Sequence, residues 1–301
     1  MAADPLLLLG AAGQLGHELS LGLQQAGYAV TAFTRQQLDV SKLDAVRRTV
    51  NDLKPRWIVN AAAYTAVDKA EQEPQLAHTI NCDLPALLAE EALRLDACLL
   101  HYSTDYVFNG RADQPYAETY ATDPLSVYGR SKRDGEWAVQ ATGARHLILR
   151  TSWVVGAHGQ NFLKTMLRLA AERDSLRVVA DQTGVPTAAD WLAEISLHAM
   201  RAAEQTGLNG LFHATPSGQT NWHAYAQYVI GQARSLGWDL KATPESVQAI
   251  TTAEYPLPAA RPAYGLLDSR ALAAALRQPW PNWQQGVDRV LRRLQPQSPS
   301  V

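Results

Sequence analysis

Tyr128 and Lys132 stand four residues apart in Tyr-Gly-Arg-Ser-Lys. On a helix such a pair shares one face, so the lysine ammonium can approach the tyrosine phenol. A neighbouring cation favours the phenolate and lowers the phenol's pKa towards working pH. The tyrosine then becomes an acid or base fit for interconverting a carbonyl and an alcohol. Taken alone the spacing is a weak signal, and an exposed helix face with a solvated lysine produces it as readily. Its weight comes from the other parts of such a site, which fall at compatible places along the chain.

A glycine turn is the first of these parts. Leu6-Leu7-Leu8-Leu9 is a short apolar run of the kind a buried parallel strand needs. Gly10-Ala11-Ala12-Gly13-Gln14-Leu15-Gly16 follows at once, then Leu19, Leu21 and Leu23, with Gly27 near a helix end. Strand, glycine turn and helix in this order place backbone N–H groups and a helix N-terminus against a pyrophosphate. Gly10, Gly13, Gln14, Leu15 and Gly16 are therefore expected to hold a dinucleotide. The next strand, Tyr28 to Phe33, ends in Thr34-Arg35, where an acidic residue would select NAD through the ribose 2′-hydroxyl. An arginine there favours a 2′-phosphate, so NADPH is the expected cofactor, with NADH as a second acceptable one. A plain surface role for Arg35 stays open, and Asp39-Val40 are expected to flank the adenine.

Two further strands end in residues suited to the same crevice. Trp57-Ile58-Val59-Asn60 runs into Ala61-Ala62-Ala63-Tyr64-Thr65, whose small side chains let a cofactor approach the backbone. Asn81 to Arg94 is apolar at helical spacing, and Cys98 to Tyr102 is the next strand, ending in Ser103-Thr104-Asp105-Tyr106-Val107-Phe108. Leu147 to Arg150 ends in Thr151-Ser152-Trp153. This alternation predicts an α/β fold, a Rossmann-like doubly wound parallel sheet with right-handed crossovers. Residues 1–150 should form most of the cofactor lobe, and 151–301 a smaller, interleaved substrate lobe. Asn161–Arg173 and Trp222–Leu236 read as amphipathic helices that cover the sheet.

Composition narrows the class. With 301 residues, 47% of them hydrophobic, the chain can bury a large core. A net charge of −2 without a basic cluster argues against a nucleic-acid surface. No apolar stretch approaches the ~20 residues of a membrane span. Two cysteines, Cys82 and Cys98, sit in apolar segments and read as reduced core residues of a cytoplasmic protein. The start, Met1 to Pro5, lacks a basic leader region. The eight histidines are scattered, no His/Cys/carboxylate cluster shows metal-ligand spacing, and no metal is expected. The Pro/Gln/Ser tail after Leu294 should fray.

Longer stretches carry a resemblance. They are Val59-Asn60-Ala61-Ala62-Ala63, Ala66-Val67-Asp68-Lys69-Ala70-Glu71, His101 through Phe108, Val127-Tyr128-Gly129 and Arg150-Thr151-Ser152-Trp153-Val154. Asn161-Phe162, Lys164 through Leu169, Asp181-Gln182, Ala260-Arg261-Pro262 and Asp288 extend them over essentially the whole chain. In these the chain resembles the dTDP-4-dehydrorhamnose reductases, a family of extended short-chain dehydrogenases/reductases. The resemblance implies NADPH-dependent reduction of the C4 keto group of dTDP-4-dehydro-L-rhamnose, the last step of dTDP-L-rhamnose synthesis. Tyr128 would protonate the C4 oxygen, Lys132 would hold the nicotinamide ribose, and Thr104 would hydrogen-bond the reacting oxygen. Ser103 is the alternative hydroxyl but reads rather as a structural bond former, Tyr102 lies on the cofactor side, and Asp105 would meet the sugar hydroxyls.

Trp153 would lie against the deoxysugar or thymine, with a core tryptophan as the alternative. Arg261 would take the diphosphate unless it is an ordinary surface arginine, and Lys69 and Lys164 are weaker candidates. Some proteins resembling this chain dimerise through a magnesium ion held by glutamates. Those positions match Glu18, the shorter Asp190 and the region of Arg292-Arg293, so no intersubunit metal is expected and the chain is a monomer or homodimer. Two rival functions share the fold. A non-catalytic regulatory subunit like that of methionine adenosyltransferase would not need Thr104, Tyr128 and Lys132 together. A nucleotide-sugar dehydratase usually carries Asp-Glu after the catalytic Thr, where this chain has Asp105-Tyr106; an epimerase would retain its cofactor through the cycle.

Overall fold

A computed structural model describes residues 5–295. The readings of the first four residues and of most of the tail after Leu294 lie outside them. Strands β1 (Pro5–Leu9), β2 (Ala29–Phe33), β3 (Trp57–Asn60), β4 (Cys98–Thr104) and β5 (Arg145–Thr151) alternate with helices α1 (Gln14–Gln25), α2 (Leu43–Leu53), α3 (Leu84–Arg94) and α4 (Val127–Ala141). A sixth strand, β6 (Gly210–His213), returns from the second half and pairs with β5. The order is β6-β5-β4-β3-β1-β2, and every neighbouring pair is parallel. This is the doubly wound sheet the alternation predicts.

Helices cover both faces of the sheet, which is why β3 and β4 are buried at every residue and read as unbroken apolar runs. Side chains still alternate along β1. Leu6 and Leu8 enter one core with Leu19 and Leu23 of α1, whereas Leu7 and Leu9 enter another with Val46, Val50, Leu87 and Leu88.

One expectation about the layers is corrected. Helices α5 (Phe162–Glu172) and α7 (Trp222–Ser235) pack on each other, and α7 also packs on the short parallel pair Leu176–Val179 and Val247–Ile250. The helix laid on α1 is α6 (Ala189–Thr206), which buries Leu192, Ile195 and Met200. Helical spacing shows which face of a helix is apolar but not which layer it will meet. The second half thus supplies both a strand and a covering helix to the first. Among the described residues no helix is long and apolar enough to cross a membrane.

Strand order reverses between β1 and β3. At such a point the connections leave in opposite directions, and the carboxyl ends of the two strands open a crevice.

Candidate active site

The glycine turn and the Ala61–Ala63 segment meet in that crevice. Gly10 has φ +82°, and a Cβ there would lie 2.6 Å from the Ala62 nitrogen, so this turn excludes a side chain twice over. Gly16 is needed for approach: a Cβ would meet the Gly10 carbonyl oxygen at 2.1 Å. No side chain caps α1 at Gly13, which leaves the first backbone N–H groups of the helix for an anion. The bare turn and uncapped helix fit a dinucleotide pyrophosphate.

Two expected cofactor contacts are narrowed. The Gln14 side chain faces the second lobe, where its Oε1 accepts from Gly156 N–H at 2.9 Å and Asn161 Nδ2 at 2.8 Å. Leu15 is buried in the core, so both residues have only their backbone N–H groups to offer. Tyr102, expected on the cofactor side, has only its backbone to offer there. Its ring is buried and its hydroxyl donates to Ser196 of α6 at 2.6 Å, because strand alternation turns it to the opposite face from His101.

Asn81, which sequence reasoning placed only in a helix, holds the other wall of the crevice. It is fully buried; Tyr64 N–H donates to its Oδ1 at 2.9 Å and its Nδ2 donates to the Tyr64 carbonyl and to Ser131 Oγ, both at 3.0 Å. The Tyr64 hydroxyl donates to Glu73 at 2.6 Å, while Thr65 is exposed. Arg35 is exposed at the end of β2, and its charge is felt at Tyr64, Glu73 and Asp39. Asp39 accepts from the N–H and hydroxyl of Ser41, which hold its carboxyl below the usual range, and Val40 packs against the second core.

At the carboxyl end of β4 the structure brings Thr104, Asp105 and Tyr128 together. Thr104 Oγ1 donates to Asp105 Oδ1 at 3.0 Å and accepts from Tyr106 N–H at 3.2 Å, and it lies near enough to the Tyr128 phenol to pull the phenol's pKa down. Ser126 starts α4 by accepting from Gly129 N–H at 3.1 Å, which fixes the turn that carries Tyr128. A buried ion pair, Arg150 to Glu136 at 2.6 Å, ties the same helix to β5. Ser103 is also corrected: its buried hydroxyl has no hydrogen-bond partner among the described residues, so it bonds nothing structural.

The electrostatics differ from the simple Tyr/Lys picture. Desolvation pushes the Tyr128 pKa up to about 12, against a smaller downward pull from Thr104. The phenol is fully protonated at neutral pH, the state a proton donor requires. Lys132 does not lower it here. The lysine is buried, donates to the Tyr102 carbonyl at 2.6 Å and lies 3.3 Å from His101 Nε2. A buried ammonium seeks the nearest acceptors, and those are on β4.

Ala62 N–H donates to Asn60 Oδ1 at 3.2 Å, which turns the Asn60 amide N–H towards His101 Nδ1 at 3.1 Å. Burial lowers the Lys132 pKa to about 8 and, with the Lys132 charge, drives that of His101 well below its usual value. Asp105 is buried, and desolvation raises its carboxyl to about 7.

On the second lobe's side, the cradle is more apolar than expected. Trp153 has φ +45°, and one of its faces is stacked on Trp222 at 3.6 Å between centroids. Gly184 crowds the same indole, since a Cβ there would come within 2.6 Å of it. That face is therefore closed to a sugar, and Trp222 lines the adjoining cavity. The cavity, of about 530 Å³, is walled by Phe162, Met166, Leu169, Val178 and Trp222, with Arg173, Arg177 and Arg261 among its lining.

Arg261 holds Asp68 in a bidentate pair at 2.7 and 3.0 Å, so its fork is already engaged. Arg177 pairs with Glu254 at 3.1 Å, whereas Arg173 is exposed and has no ion pair among the described residues. Arg173 and Arg177 escaped the sequence reading because nothing in their local pattern separates them from surface arginines. Lys69 pairs with Glu73 at 2.8 Å, and Lys164 donates to the Gly159 carbonyl at 2.8 Å.

A crevice that fits a dinucleotide, the Thr104–Asp105–Tyr128 cluster and an arginine-lined apolar cavity lie along one chain, and comparison with known proteins gives matches over nearly its whole length. The RmlD substrate binding domain model matches residues 4–296. The dTDP-4-dehydrorhamnose reductase of Shigella flexneri is 44% identical over 293 residues, covering 96% of this chain and 97% of its own. The chain belongs to the dTDP-4-dehydrorhamnose reductase family. A crystal structure of the Bacillus anthracis reductase in complex with NADP is 33% identical with a TM-score of 0.88, covering 97% of this chain and 99% of that one. One from Clostridium acetobutylicum is 35% identical, also at 0.88, covering 97% and 100%.

Within this reductase family the resemblance had matched Glu18 and Asp190 to a metal bridge. Here Glu18 is buried 2.8 Å from Arg293, though off hydrogen-bond alignment, and Asp190 accepts from Arg289 at 2.9 Å.

Proposed function

We propose that the chain reduces the C4 keto group of dTDP-4-dehydro-L-rhamnose with NADPH. The observation that carries this reading is the Asp105–Thr104–Tyr128 cluster, held at the strand end beside the glycine crevice. When bound, NADPH supplies the hydride to the C4 carbon. Tyr128 delivers its phenolic proton to the C4 oxygen, and Thr104 steadies the phenolate that this leaves. Lys132 would hold the nicotinamide ribose, its ammonium meanwhile donating to the Tyr102 carbonyl. The aromatic wall around Trp222 suits the thymine and the 6-deoxysugar. The arginines suit the diphosphate, with Arg173 uncommitted and Arg261 oriented by Asp68.

Loss of NADPH absorbance on adding the sugar nucleotide tests the proposal. A protein that purifies with stoichiometric cofactor and shows no net oxidation would instead be the epimerase or dehydratase rival. Cofactor choice has its own test. Arg35→Ala should weaken NADPH by about 1.5–3 kcal/mol, roughly tenfold to a hundredfold, and leave NADH unchanged. Equal losses for both cofactors in a fluorescence titration would place Arg35 away from the 2′-phosphate.

Assembly follows from the charge pairs on Glu18 and Asp190. Arginines already neutralise both carboxylates, so a bridging magnesium ion has no free ligands there. Sedimentation with and without EDTA should give the same mass; a mass that halves on chelation would show that other carboxylates form the bridge.

A further inference from the structure

The segment before α3 is irregular in a way that gathers metal ligands. Residues Thr79–Asp83 form a single π-turn between the helical turn Pro74–His78 and α3. In a regular α-helix residue i+5 lies about 140° around the axis from residue i. A π-turn widens the helix so that residues i and i+5 come onto one side. Here it brings the His78 imidazole, the Cys82 sulfur and the Asp83 carboxylate within 4.8 Å of one another. His78 Nδ1 is already 3.2 Å from Asp83 Oδ1. The sequence reading that no His/Cys/carboxylate cluster has ligand spacing is corrected by this grouping.

We propose that His78, Cys82 and Asp83 form a binding site for one Zn²⁺ ion, with solvent as the fourth ligand. The donor set is what selects the ion. A thiolate and an imidazole disfavour Mg²⁺ and Ca²⁺, while one sulfur, one nitrogen and one carboxylate oxygen are the three ligand types that tetrahedral zinc takes. Zinc bonds of about 2.0–2.3 Å put neighbouring donors roughly 3.3–3.7 Å apart, so side-chain rotations of about 1 Å complete the site.

The carboxylates of Asp83 and Asp134 lie near the Cys82 sulfur, and their negative charge attracts a dication. Arg133 opposes them in part through its 2.8 Å pair with Asp134. On binding, the thiol proton leaves to solvent and the thiolate bonds the metal. None of the three ligands hydrogen-bonds Thr104, Tyr128 or Lys132, so the ion is separate from the reacting groups. It shares its π-turn with Asn81, and so with the wall of the cofactor crevice.

Tag-free protein titrated with Co²⁺ as a spectroscopic probe decides the matter. One equivalent should bind with an intense near-ultraviolet thiolate-to-cobalt band, and Zn²⁺ should displace it. Cys82→Ser should abolish the band, His78→Ala, at a half-exposed position, should weaken binding at least about tenfold, and Cys98→Ser should change nothing. The site is overturned by the absence of saturable one-to-one uptake below about 10 μM. It is equally overturned by a band that survives Cys82→Ser or by undiminished affinity in His78→Ala.

Discussion

Replacing Tyr128 by Phe lowers kcat on the order of 10²-fold or more while leaving NADPH affinity close to that of the parent. The ring and its edge-on contact with Tyr106, 5.5 Å between centroids, are retained, and only the proton donor is lost. Thr104 keeps its bonds to Asp105 and to Tyr106 N–H, so the strand end should not collapse. Single-turnover kinetics beside a cofactor titration separate the two effects. Turnover like that of the parent would remove Tyr128 from the mechanism.

The second large effect concerns stability and pH. Asp105 titrates at about 7 in the folded chain against an ordinary value of 3.8, because burial disfavours the carboxylate. The folded state therefore binds the Asp105 proton more tightly than the unfolded chain. Its contribution is fully present below pH 4 and is lost as pH rises through 7. Over that interval the parent should lose up to roughly 4 kcal/mol that an uncharged isostere does not lose. Asp105→Asn should then show a flatter dependence of Tm on pH between 4 and 8, with the largest advantage at the alkaline end. Parallel curves for the two proteins would show that the carboxyl is not held neutral by the fold.

Strand-length apolar runs, the glycine turn and the Tyr/Lys spacing are local properties of the chain. They sufficed for the parallel sheet, the crevice at β1 and β3, and the placement of Thr104, Asp105 and Tyr128 at one strand end. Each follows from a backbone period or a steric demand that acts over a few residues. What an arginine or a tryptophan meets is set by residues far away in sequence. Arg261 is committed to Asp68, Trp153 to Trp222, Tyr102 to Ser196 and Glu18 to Arg293. Lys132 turned to the Tyr102 carbonyl because burial, rather than spacing, selects an ammonium's acceptors. His78, Cys82 and Asp83 lie together across the π-turn Thr79–Asp83, an irregularity that the local pattern does not announce. Local pattern determined which elements form and where their ends lie; long-range packing and desolvation decided which side chains remain available there for chemistry.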